Sequence, residues 1–114
     1  MSILAELTTL ISGIGLSVET GVFSGVPPNE YVVLTPMTDS FAFFADNLPI
    51  VDITEVRISL FTKGNYIKRK KQIVTAVLGA DFTITDRRYI AHEDDTGFFN
   101  VAVDVAKYYP MAHD

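Results

Sequence analysis

The chain has 114 residues, enough for one domain spanning 1–114 and too few for a second independent core. Its formal charge of −5 and pI near 4.8 argue against a nucleic-acid binder held by phosphate contacts. With no cysteine and no apolar run of the ~18 residues that a membrane span needs, disulfides, thiol chemistry and a membrane location are not expected.

Apolar residues make up 48% of the chain, and a chain of this size buries roughly 65% of its unfolded surface. Met1 to Glu6 lack a basic region ahead of an apolar one, so no secretory signal is expected and the missing cysteines favour a cytosolic origin. The first element is an amphipathic helix. Ile3, Leu4, Leu7, Leu10, Ile11 and Ile14 recur at helical spacing, Ser2 stands where an N-cap belongs, and Gly13 and Gly15 supply the stop.

A short strand is expected over 16–23, then a loop over 24–29 with Gly25, Pro27 and Pro28. Residues 31–35 (Tyr-Val-Val-Leu-Thr) are β-branched and aromatic and read as a strand that Pro36 weakens or confines to an edge. A further short strand is expected over 41–45, followed by a turn over 46–49. Residues 53–62 alternate, with Val56, Ile58 and Leu60 on one side and Glu55, Arg57 and Ser59 on the other. Lys63-Gly64-Asn65 breaks that strand and offers Asn65 as a cap. Tyr66, Ile73, Val74, Val77 and Leu78 then resume helical spacing up to Gly79.

Two alternating strands finish the chain, one from Phe82 to Ala91 and one from Phe99 to Val105, joined by the polar connector His92-Glu93-Asp94-Asp95-Thr96-Gly97. The order of elements predicts an α+β fold: a mostly antiparallel sheet with two helices packed on one face.

The search for chemistry yields no catalytic set, and no enzyme activity, cofactor or metal is expected. Serines at 12 and 24 lack the G-x-S-x-G pattern, and Gly13, Gly15 and Gly21 follow a helix where a dinucleotide fingerprint would follow a strand. The densest polar cluster, His92 to Asp95, could be imagined as a metal or ligand site, but four adjacent residues on a hairpin point in alternating directions. His113 stands near the chain end, where pairing with His92 has little support. Lys68-Arg69-Lys70-Lys71 spreads around the helix and reads as a solvated surface.

Phe41, Phe43 and Phe44 attract more interest. On a strand, Phe41 and Phe43 share one face and Phe44 takes the other. The segment is then buried on both faces, or one aromatic face is covered by a neighbouring subunit. Tyr108, Tyr109 and Met111 pose the same choice, since aromatics and methionine are enriched in interfaces. These six residues are the candidate interface.

Three phrases resemble a known family. They are Phe43-Phe44-Ala45-Asp46-Asn47, the run from Glu55 to Tyr66 (Glu-Val-Arg-Ile-Ser-Leu-Phe-Thr-Lys-Gly-Asn-Tyr), and Asp86-Arg87-Arg88-Tyr89 with Glu93-Asp94-Asp95-Thr96-Gly97. Together with the order of elements, they resemble the tail-terminator (tail-completion) and head–tail joining proteins of tailed phages and prophages. The resemblance implies a structural subunit assembled in the bacterial cytoplasm and incorporated into the virion. It implies a ring homo-oligomer, typically a hexamer, at the head-proximal end of the tail. That ring stops polymerisation of the tail tube protein, docks the head–tail connector protein, and passes DNA without binding it specifically. The family brings no catalytic residue. Another prophage assembly factor, for head closure or tail assembly, and a small ligand- or metal-binding domain using His92 to Asp95 are the alternatives.

Overall fold

A computed structural model describes residues 3–21, 25–45 and 48–110; side chains at 38–45, 48–54 and 108–110 lie outside the description. The elements are α1 (Ile3–Ser12), β1 (Ser17–Thr20), β2 (Glu30–Ala45), β3 (Leu48–Thr62), α2 (Tyr66–Gly79), β4 (Thr83–His92) and β5 (Phe99–Pro110). The five strands form one sheet in the order β1-β2-β3-β5-β4. Four of them pair antiparallel, and β1 runs parallel to β2 from Ser17 opposite Tyr31 to Thr20 opposite Leu34. This is the expected α+β fold with a mixed edge.

The helices form where the sequence places them. Gly13 N–H donates to the Thr9 carbonyl and Gly15, at φ 89°, turns the chain into β1. At the start of α2, the Asn65 side chain accepts from the Lys68 amide at 3.1 Å, satisfying one of the orphan donors of the first turn. Ala80 and Asp81 close the helix, with Asp81 at φ 67°.

Both helices lie on one face of the sheet. Ile3, Leu7 and Ile11 of α1 and Ile73 and Val77 of α2 join Val32, Leu34, Val56, Ile58, Leu60, Val103 and Val105 in a single buried cluster. Register explains the alignment, because Ile58 stands opposite both Leu34 and Val103. Fully burying each of these side chains contributes about 1.5–3 kcal/mol.

All five strands differ from their sequence-based bounds: β1 is described over Ser17–Thr20, β5 runs on from Val105 to Pro110, and the other three differ more. The segments expected at 31–35 and 41–45 are one strand, β2, running through Pro36. The pairing shifts between Pro36 and Thr38, leaving Met37 as an extra residue. A proline that cannot donate to a ladder is tolerated at such a bulge. Leu48 and Pro49, expected in a turn, begin β3; Asp46 and Asn47 lie outside the described residues. In β4 the alternation of Phe82, Ile84, Asp86, Arg88 and Ile90 does not survive. Phe82 precedes the strand, buried, and the register shifts at Ile84/Asp86 and again at Tyr89/Ala91. Each shift moves the following side chains to the other face.

The long strands make the molecule elongated. Its extents are 55 × 25 × 22 Å, and its radius of gyration is 15.5 Å, against about 13 Å for a compact chain of similar length. Beyond Leu34, β2 runs on with β3 as an arm, flanked by β5 as far as Val51 opposite Pro110.

Candidate functional site

The sheet's second face carries no helix among the described residues. Its centre is an ion pair. Arg57 on β3 and Asp104 on β5 are directly opposite in the register. Arg57 Nε donates to Asp104 Oδ1 at 2.8 Å and Nη2 donates to Oδ2 at 3.0 Å. Asp104 is 4% exposed. The hydrogen bond to Asp104 is the largest effect holding the Arg57 guanidinium in its charged form, outweighing partial desolvation; Asp86 and Glu55 add to it. A bidentate fork of this kind is the strong form of the contact. Beside it, Arg88 grips Asp86, which lies opposite Asp104 on β4, and this hydrogen bond lowers the Asp86 pKa.

Toward the Thr62 end the same face becomes aromatic. Tyr31 stacks on Phe61 with ring centroids 4.8 Å apart, Phe98 meets Tyr31 edge-on at 5.5 Å, and Lys63 Nζ lies 4.9 Å from the Phe98 ring. Burial, aided by the charge of Glu93, raises the Tyr31 pKa.

A second polar centre ties α2 to the sheet edge. Glu30, at the start of β2, accepts from Arg69 Nε and Nη2 and from the Thr62 hydroxyl. Arg69 also donates to the Ile14 carbonyl and to Gln72, so this one side chain links α2 and the turn after α1 to β2. The hydrogen bond to Arg69 is the main cause lowering the Glu30 pKa. Next to this clamp lies a cleft of about 530 Å³ lined by Asn29, Glu30, Lys63, Gly64, Asn65, Lys68 and Arg69. The basic run of α2 is thereby divided: Arg69 is a tie, while Lys68 and Lys71 are exposed.

At the β4–β5 hairpin, His92 Nδ1 lies 3.0 Å from Asp94 Oδ1 and the His92 ring packs on Phe99 with centroids 4.4 Å apart. The structure brings these two together and adds no third ligand: among the described residues no three His, Cys, Asp or Glu side chains are grouped to hold a metal.

Of the candidate interface residues, Phe41, Phe43 and Phe44 lie on the β2 part of the arm, Phe41 opposite Asp52 and Phe44 opposite Pro49. Tyr108 and Tyr109 lie on β5, opposite Ile53 and Asp52. These five share one end of the sheet; Met111 and His113 lie outside the described residues. Sequence reasoning missed the Arg57–Asp104 and Glu30–Arg69 pairs. The charged positions of the alternating strands were visible, but which of them face each other depends on register.

Among the described residues no helix is long and apolar enough to cross a membrane. No protein-family model matches the chain, and no curated protein matches it. Among solved structures, it is similar to a chain of the "Virion of native gene transfer agent (GTA) particle". The two are 14% identical with a TM-score of 0.47, over 91% of this chain and 84% of that one.

Proposed function

We propose that this chain is a structural subunit of a tailed phage or phage-like virion, a tail terminator or head–tail joining protein that acts by assembly and not by catalysis. In this reading, copies form a ring, as a hexamer, at the head-proximal end of the tail. The ring ends growth of the tail tube and presents a docking surface to the connector. The observation that carries the reading is the β2–β3 arm, in which β2 runs on from Leu34 to Ala45 beyond the end of β1, with β3 as its one described neighbour. A monomeric body gains little from such an extension, whereas a subunit that must grip neighbours does. The likeness of the Glu55–Tyr66 run and of the Asp86–Gly97 region to tail-terminator sequences supports the finer assignment. The charge of −5 suits a channel that DNA crosses without adhering.

Electron microscopy of tails assembled with and without the protein tests the assignment. The expected result is overlong or ragged tubes in its absence and defined lengths on its return. Tubes of unchanged length that fail to join heads would move the protein to head closure. Unchanged length with normal joining would overturn both roles.

A further inference from the structure

Large apolar side chains are exposed at both lateral edges of the sheet. Val26 is 94% exposed, in the loop that joins β1 to β2. Gly25, at φ 79°, turns the chain into it, and Pro27 and Pro28 follow. Each proline ring holds its own φ and confines the residue before it to extended backbone. Val26-Pro27-Pro28 is therefore a stiff apolar knob that loses little freedom when a partner covers it.

At the other edge Ile67 and Leu78 of α2 and Tyr89 and Ile90 of β4 are exposed. Ile67, Val74 and Leu78 recur at i, i+7 and i+11, which puts them on one stripe of the helix. Between that stripe and β4 runs a groove of about 340 Å³, lined by Val74, Leu78, Ile84, Thr85, Asp86 and Arg87. Val74 and Ile84 pack against the core, which gives the groove a fixed floor.

Knob and groove cannot meet within one copy, because the sheet lies between them. Pro27 sits with Tyr31, Val33 and Phe61 on the open face, whereas the groove lies on the face that α2 covers. From β2 to β4 there are also three strand spacings, about 14 Å. Two copies overlapped edge over edge, open face against helix face, do bring knob and groove together. The charges agree with that arrangement. Glu19 on β1 stands opposite Val33, beside the knob, and Arg87 lines the groove. Neither side chain makes an ion pair among the described residues.

We infer that the Val26-Pro27-Pro28 knob of one subunit seats in the α2–β4 groove of a second copy, with Glu19 facing Arg87 at its rim. The contact joins two different surfaces and is therefore heterologous, the kind that closes into a ring or extends as a filament. It rests on the self-assembly in the proposed function and names the surfaces that carry it.

The chain has no cysteine, so introduced thiols report the contact without background. Val26→Cys and Leu78→Cys, mixed as separate chains and treated with a short bis-maleimide, should give a covalent dimer that neither gives alone. Both substitutions in one chain should give a ladder of higher oligomers. Sedimentation velocity across a concentration series should show Val26→Gln and Leu78→Gln each associating at least about tenfold more weakly than wild type. Both side chains are exposed, so circular dichroism should show an unchanged fold. Arg87→Glu should weaken association too, and adding Glu19→Lys should recover part of the loss. Dimers from Val26→Cys alone would put two loops in contact and overturn the docking. Variants that assemble like wild type, a charge swap that recovers nothing, or Val26→Cys joined to a tail tube protein and not to Leu78→Cys would overturn it as well. Each of those results leaves self-assembly standing. Wild type that stays monomeric at every concentration, with and without tail tubes, would overturn both.

Discussion

The two faces of this sheet are built from the same strands by opposite means. On the helix side, Ile58, Leu60 and Val103 are sealed under α1 and α2 and contribute through apolar burial alone. On the open side, one residue away in each strand, Arg57 and Asp104 hold each other and Tyr31 stacks on Phe61. The contrast shows how register is enforced. A slip of one residue would put Arg57 and Asp104 under the helices and Ile58 in water, so both faces select the same alignment.

Five variants would probe that contrast. Ile58→Ala, on the covered face, removes a fully buried side chain between Leu34 and Val103, and urea denaturation should show a loss of about 4 kcal/mol. Arg57→Ala leaves Asp104 buried without its partner and should cost about 3 kcal/mol. The pair Arg57→Met with Asp104→Leu should restore most of that loss, measured as a double-mutant cycle. A full loss in the double variant would mean that the ion pair outperforms apolar packing on this face.

Glu30→Gln weakens the tie between α2 and β2, at a cost of about 1.5 kcal/mol after allowing for its partial exposure. Its pKa is lowered in the fold from an ordinary value of 4.5. The stability it contributes is therefore present above that value and lost as pH falls through the folded pKa. The difference between wild type and Glu30→Gln should accordingly shrink in acid; a constant difference would show that the carboxylate charge is not what matters. Asn65→Ala, which removes the α2 cap, should have the smallest effect, about 0.5–1 kcal/mol, read from the same denaturation curves.

Much of the fold was legible in the residues. The spacing of Ile3, Leu7 and Ile11 gave α1, Asn65 marked the start of α2, and the alternation from Val56 to Leu60 gave the core face of β3, because local propensity and burial agree at those positions. The resemblance of the Glu55–Tyr66 run supplied the functional proposal, which periodicity alone does not reach. The strand expected at 41–45 is present, but its union with 31–35 was hidden by Pro36, whose missing N–H looks in sequence like a strand end.

Pairing partners belonged to the tertiary structure. Nothing local tells β1 to run parallel to β2, or β4 to shift register twice; those choices depend on which neighbours are available across the sheet. The same holds for charge. Sequence supplied a net −5, an acidic stretch from Asp39 to Glu55 and four basic residues in a row. Only the fold turned Arg69 inward to Glu30, set Arg57 on Asp104, and drew β2 and β3 out into one long molecule. Periodicity depends on neighbours a few residues away and so can be read along the chain. Ion pairs and shape depend on residues brought together from 39 and 47 positions apart, and the packed sheet alone decides them.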